Sequence, residues 1–501
     1  MLLLGIDLGT SSVKVSVLDI ATQQTVVAVQ YPDTELDIIS PQPGWAEQSP
    51  DLWWENVKQA ILKCNATNLY DPKDINAIGI AYQMHGLVLV DKEQHVLRNS
   101  IIWCDSRAVE TGDEAFTNIG AGKCLYHLLN SPGNFTASKL AWVKQHEPAL
   151  YEKIDKVMLP GDFIAMKLTG DSTTTVSALS EGIFWDYRSN SISTDITGYF
   201  GFDHALFPQI KPVFTPHGFL KETVAIRLSL KQGIPVSYKA GDQLNNALAL
   251  NVLQPGEVAA TAGTSGVIYG VSDQPEFDEQ SRINSFAHIN HHANKNRIGV
   301  LLCINGAGIF NRWIKNLVGP NRSYAELNEA AANIQAGSNG LLALPFGNGA
   351  ERMLNNRQVG AHFQDLDFNI HTDAHLVRAA QEGVAFAFRY GLDIMRENGI
   401  YPNVIRAAKT NLFLSDVFTG SFVNSTGVAV EFYEGDGSYG AALGAGVGAG
   451  IYTDVTEPFS NRKPVGCVEP DLKNDLEELY QNWKIFLNEK MSSVTEPIHI
   501  V

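Results

Sequence analysis

Two carboxylates and two hydroxyl-rich turns are the parts of this chain best suited to chemistry. Asp7 stands near the end of the apolar run MLLLGIDLG, just before the turn Gly9, Thr10, Ser11. The same G-T-S recurs as Gly263, Thr264, Ser265 within EVAATAGTSGVIYGVSD, where Thr261 takes the place of the aspartate. A tight turn between strands can aim successive backbone N–H groups into one concavity, a nest that binds an anion without a basic side chain. The hydroxyls of Thr10, Ser11, Thr264 and Ser265 add donors, and Lys14 follows in the same stretch, GIDLGTSSVK. Two such turns facing each other across a cleft would clamp a polyphosphate. A lone carboxylate beside one of them would suit Mg²⁺, held directly or through water. Taken singly, each turn is also ordinary hairpin chemistry and Asp7 an ordinary turn cap. No G-x-x-x-x-G-K-[ST] loop occurs in a strand–helix setting.

A second acid, Asp242, lies in KAGDQLNNALAL, after a glycine and before a helix rich in small residues. Such a residue is either an N-cap or a general base that takes the proton of a substrate hydroxyl as it attacks phosphorus. Met84 and His85 end the strand in AYQMHGLVLV; methionine can pack on the carbon face of a sugar and histidine can donate to a hydroxyl. In IIWCDSRA, Trp103, Asp105 and Arg107 combine an aromatic, an acid and a base, which suits a polyol pocket and equally an ion pair. His288, His291 and His292 lack a nearby cysteine or carboxylate partner and are not taken as a metal site.

The elements that must position these groups repeat. MLLLGIDLG, SVKVSVLDI and TVVAVQY read as an antiparallel meander, SPDLWWENVKQAILKC as a helix capped by Ser49 or Asp51, and INAIGIAYQ as a buried strand. The pattern restarts near residue 257, continues through the helix AHLVRAAQEGVAFAFRYGLDIMREN and a strand at VIRAA, and reaches the small-residue stretch EGDGSYGAALGAGVGAG. In that stretch Gly440, Gly444 and Gly448 fall on one helical face, which predicts close packing in a core. Strands mixed with helices predict an α/β architecture, divided into residues 1–246 and 247–501. The match between the halves is short, so a duplication is only suggested. DLKNDLEELYQNWKIFLNEK predicts an amphipathic helix packed on its own half.

The chain has 501 residues and a net charge of −17, which argues against nucleic acid or an anionic membrane as partner. Its five cysteines are widely spaced without C-x-x-C, which suits a reducing cytoplasm. The N-terminus has no basic stretch before its apolar run, so no signal peptide is expected.

GIDLGTSSVK, PGWAEQSPDLWW, QMHG, WCDSR, NFTASKLAWVKQHEP, GDQLNNA and AGTSGV, in that order along the chain, resemble the FGGY carbohydrate kinases. The resemblance implies two actin-like, ribonuclease-H-like domains with ATP and Mg²⁺ in a deep cleft between them, and γ-phosphoryl transfer to a pentulose, in the first place D-xylulose. Ribulose, gluconate or glycerol are the alternative acceptors, and a sugar-binding sensor without catalysis is the alternative class. By position it implies Asp242 as base, Asp7 near metal and γ-phosphate, and Met84, His85, Trp103, Asp105 and Gln243 around the sugar. Around ATP it implies Gly9, Thr10, Ser11, Lys14, Gly263, Thr264, Ser265, Gly306, Ala407, Ala408 and Asn411. A homodimer in the cytoplasm fits the same resemblance. The chain departs from the family pattern at Asn134, where glycine is usual, and at Gln243, where asparagine is usual. In NVIRAAKTNLFLS, Ala407 and Ala408 replace a glycine run, and their methyl groups are expected to crowd the nucleotide.

Overall fold

Runs of alternating and continuous apolar residues build two sheets on one plan. In the computed structural model, which describes residues 1–471, 473 and 476–494, β1 (Leu2–Leu8), β2 (Val13–Asp19) and β3 (Thr25–Tyr31) form the antiparallel meander expected. Helix α1 (Pro50–Asn65) follows, with Ser49 as its N-cap, its side chain accepting from the Leu52 N–H. Then β4 (Ile75–Tyr82) pairs parallel with β1, and β5 (Pro235–Gly241) parallel with β4. Helix α2 (Asp242–Ala249) leaves the end of β5.

The second half repeats this order. β6 (Glu257–Ala262) and β7 (Gly266–Ser272) are antiparallel, and β8 (Ile298–Ile304) is antiparallel to β7. After α3 (Gly308–Val318) and the long α4 (Asp373–Glu397), β9 (Val404–Ala408) pairs parallel with β6, and β10 (Val430–Tyr433) parallel with β9. Helix α5 (Gly437–Gly448) leaves β10 as α2 leaves β5. The suggested duplication thus extends through five strands and a helix in each half.

β1 explains how the first sheet sits. Leu2, Leu4, Ile6 and Leu8 join the core cluster that also holds Trp53, Val57 and Ile61 of α1. Leu3, Gly5 and Asp7 point to the opposite face, which α5 covers. The helix that ends the second half therefore lies on the first sheet. Its glycines make this possible: a β-carbon on Gly444 would sit 2.5 Å from the Tyr238 ring, and one on Gly448 would sit 1.8 Å from the Ser237 carbonyl. Gly440 meets α2 at Asn245 and Ala249 instead. Helices α2 and α5 thus cross in contact where the halves join.

The final helix, α6 (Glu477–Ser493), buries Tyr480, Trp483, Phe486 and Leu487 in the second core, and Trp483 Nε1 donates to the Ala343 carbonyl at 2.8 Å. Residues 472, 474 and 475 of the expected tail helix lie outside the described residues. Among the described residues no helix is long and apolar enough to cross a membrane.

Candidate active site

The first turn is clamped by glutamines. The Gly9 N–H donates to Ser12 O at 3.0 Å and closes the hairpin between β1 and β2. Thr10 Oγ1 donates to Gln83 Oε1 at 3.1 Å and accepts from Trp103 Nε1 at 2.9 Å. Gln48 Nε2 reaches the Thr10 carbonyl at 2.8 Å, and Gln83 Nε2 donates to Gln48 Oε1 at 3.1 Å. Gln48 and Gln83 lie within PGWAEQSP and QMHG; their types gave the signal, but only the fold brings them together. Trp103 is 53% exposed and lies beside the turn. The second turn is held from behind: the Gly308 and Ile309 N–H groups donate to the Gly263 and Thr264 carbonyls at 2.9 and 3.0 Å.

The two acids lie at the same end of the first sheet, Asp7 near the end of β1 and Asp242 just past β5, with β4 between them. Burial, with the nearby charge of Asp436 and against that of Lys14, pushes the Asp7 carboxyl up to about 6. Burial and the charge of Asp7 push Asp242 up to about 7. Lys14 is 4.0 Å from Asp436, the N-cap of α5. Asp242 is the first helical residue of α2, with Gly241 at the cap position, so it stands one residue inside the N-cap position that the sequence offered. Cys303, on β8 of the second sheet, is solvent-accessible yet desolvated enough that its thiol rises to about 11, with Asp242 contributing. The two halves thus face each other at Asp242.

Met84, His85 and Glu181 form a wall next to Asp242. His85 has φ 62° at the end of β4, and its N–H donates to Glu181 Oε1 at 3.0 Å. Its Nδ1 lies 3.1 Å from the Glu181 carbonyl, which only accepts. Nδ1 therefore carries the proton, and burial holds the imidazole neutral, its pKa pushed down to about 3. His85 thus presents Nε2 as an acceptor, which corrects the expectation that it donates to a sugar hydroxyl. Lys139 is buried and donates to the His85 and Ile102 carbonyls at 3.0 and 2.9 Å. Met84 and Glu181 press on Gly241, where a β-carbon would fall 2.7 Å from both Glu181 Oε2 and Met84 Cγ. Burial holds the Glu181 carboxyl well above the usual range. Gln243 follows Asp242 in the first turn of α2 and is partly exposed. Neither Lys139 nor Glu181 was singled out from the sequence, although Lys139 lies in the NFTASKL stretch.

Asp105 does not line the cleft. It is 0% exposed, accepts from the Ala46 N–H at 2.6 Å, and pairs with Arg107 Nη2 at 2.6 Å. The Arg107 guanidinium lies 3.8 Å from the Trp45 ring centroid and pairs with Glu47 at 2.7 Å. Of the two readings of WCDSR, the ion pair holds, buried rather than on the surface.

A cavity of about 310 Å³ opens beside the second turn, lined among others by Gly263, Thr264, Asn311, Tyr324, Asn328 and Asn411. Asn411 was expected there; Asn311, Tyr324 and Asn328 come from helices with no distinguishing pattern. Ala407 and Ala408 are not in its lining. Ala407 is 0% exposed, packed in the second core and paired with Ala260 and Phe432. Ala407 therefore points away from this cavity, and Ala408, half-buried on the opposite side of β9, does not line it. Gly306 is also buried behind the cavity, where a β-carbon would strike the Pro345 carbonyl at 1.8 Å; its N–H donates to Glu351.

Comparison with known proteins places the chain in a family. A curated xylulose kinase of Escherichia coli K12 is 30% identical over 442 residues, 88% of each chain. One of Bacillus subtilis is 28% identical over 466 residues, 91% of this chain and 89% of that one. The crystal structure of a xylulose kinase from Rhodospirillum rubrum superposes with a TM-score of 0.87 at 25% identity, covering 98% of this chain and 99% of that one. Residues 2–249 match the N-terminal domain of one family and residues 258–409 its C-terminal domain, and this protein belongs to that family, the FGGY carbohydrate kinases.

Proposed function

We propose that this chain transfers the γ-phosphoryl group of ATP to a pentulose, converting D-xylulose to D-xylulose 5-phosphate. The family uses ATP, and relatives carrying the name xylulose kinase at 28–30% identity support the choice of sugar. The observation that carries the mechanism is the placement of Asp242 and Asp7 at the same end of the first sheet, where the halves join, with the Asp242 carboxyl raised to about 7.

In this reading Asp242 accepts the proton of the sugar's terminal hydroxyl as that oxygen attacks phosphorus. A base poised near neutral pH combines a useful ionised fraction with proton affinity. Met84 packs on the carbon face of the sugar, His85 Nε2 accepts from a hydroxyl, and Gln243 and Trp103 close the remaining sides. Gly9, Thr10, Ser11 and Lys14 on one side, and Gly263, Thr264 and Ser265 on the other, hold the phosphates, with the turn N–H groups aimed at the charge that moves. Asn411 and the cavity beside it take the nucleoside.

Asp7 would hold Mg²⁺. Among the described residues no group of three acidic, histidine or cysteine side chains is set to ligate a metal. Mg²⁺ takes one or two carboxylates and completes its shell with phosphate and water. When bound, the ion neutralises charge on the phosphates. We read the functional halves as 1–246 and 247–501, with α5 crossing back to the first sheet. Family kinship supports a homodimer, and sparse, unpaired cysteines support a cytoplasmic setting.

The test is coupled ADP release from ATP and Mg²⁺ with D-xylulose, D-ribulose, L-ribulose, gluconate and glycerol. Stimulation chiefly by D-xylulose is expected. Stimulation by another acceptor alone would keep the kinase and change the sugar.

A further inference from the structure

Arg352 belongs to the second half of the chain but reaches the sugar wall of the first. Its guanidinium lies 5.9 Å from the Phe135 ring centroid, and Phe135 packs edge-on against His85 with centroids 4.8 Å apart. Phe286 closes the same corner, 5.5 Å from His85 and 6.1 Å from Phe135. Arg352 Nη1 donates to Asn284 Oδ1 at 3.0 Å and to the Ser281 carbonyl at 3.5 Å. Among the described residues Nε and Nη2 make no hydrogen bond, and the Asp113 carboxylate lies near enough to favour the charge. The charge of Arg352 is felt by His85 on one side and by Cys303 on the other, and Cys303 in turn feels Asp242. A partly exposed guanidinium therefore stands beside the Phe135–His85 corner of the sugar wall.

We propose that Arg352 is the second half's direct contact to the sugar, donating from Nε and Nη2 to hydroxyl or carbonyl oxygens of the open-chain pentulose on the side that His85 faces. This rests on the kinase reading above. Arg's fork of fixed donors suits neighbouring oxygens on a flexible chain, and a buried aromatic corner strengthens each bond by excluding water.

The chain that carries Arg352 is itself held in place. Glu351, the preceding residue, accepts from the Asn305 and Gly306 N–H groups at 3.0 and 3.2 Å. These residues lead into α3, whose first N–H groups hold the second turn through Gly263 and Thr264. Glu351 thus anchors the chain beside Arg352.

The experiment compares wild type, Arg352→Lys and Arg352→Gln. Initial rates are measured across both substrates, and sugar affinity by calorimetry with a non-hydrolysable ATP analogue present. Arg352→Gln is expected to raise KM and Kd for D-xylulose at least ~10-fold, as loss of a charged hydrogen bond of about 1.5–3 kcal/mol implies. KM for ATP should stay within about twofold, and Arg352→Lys should recover part of the loss. Sugar affinity unchanged in Arg352→Gln, or KM for ATP rising in step with KM for the sugar, would overturn the proposal. The calorimetric arm reads the contact even where no phosphoryl transfer is seen. A silent wild type that binds sugar would sink the kinase reading and leave Arg352 judged on affinity alone.

Discussion

The Asp7 carboxylate lies so close to Gly437 that a β-carbon there would fall 2.3 Å from its Oδ2. The first residue of α5 and the acid at the end of β1 thus share one space, and Asn245 of α2 fixes it by donating to the Gly437 carbonyl at 2.7 Å. Gly437→Ala must displace Asp7 or lift the helix. We expect kcat to fall at least ~10-fold, the scale of a misplaced group near the chemistry. Affinity for nucleotide without Mg²⁺ should be nearly unchanged, because neither Asp7 nor Gly437 lines the cavity beside Asn411. Steady-state kinetics with a nucleotide-binding assay checks both.

Asp242→Asn separates activity from stability. Removing a general base costs on the order of 10²–10⁴ in kcat, with sugar affinity largely kept. The same change should stabilise the fold. Burial lifts the folded carboxyl from its usual value near 4 to about 7, so its ionised form opposes folding. That penalty is absent below about pH 4 and complete above about 7. The variant's Tm should therefore exceed that of wild type by about 2–4 °C at pH 8, and by progressively less towards pH 4. Thermal melts across pH test the sign.

The same titration sets the rate profile of the free enzyme. Because Asp242 must be ionised to accept a proton, kcat/KM for the sugar should fall as pH drops through about 7. His85 should add no limb in this range, since its own pKa is pushed down to about 3. A profile flat from pH 8 to 5 would contradict Asp242 as the base.

The two alanines that break the glycine run should be silent. Ala407→Gly with Ala408→Gly is expected to leave KM for ATP within about twofold, because neither residue lines the cavity. Asn411→Ala and Tyr324→Ala, which remove lining side chains, should raise it severalfold. Initial rates against ATP concentration decide.

The strands, both turns and both acids were legible in the sequence because they are local: an apolar run, a glycine turn and an acid at a strand end announce themselves within ten residues. The close face of Gly440, Gly444 and Gly448 was legible too, but not that it would settle on the other half's sheet. Contacts between distant segments were out of reach. Gln48 meets Gln83 only when the short strands and the end of β4 converge, and Asp105 reads as a ligand until Ala46 and Arg107 are seen to occupy it. Ala407 was misjudged because strand alternation had to be known before its methyl could be aimed at the core. The tautomer of His85 follows from a single carbonyl, Glu181's, 96 residues away.

The most direct measurement of the central claim is ADP release by wild type and Asp242→Asn, with D-xylulose present and absent, in ATP and Mg²⁺. Strong stimulation by D-xylulose in wild type, abolished in Asp242→Asn while calorimetry still detects the sugar, is the predicted result. Undiminished, sugar-stimulated turnover in Asp242→Asn would contradict it.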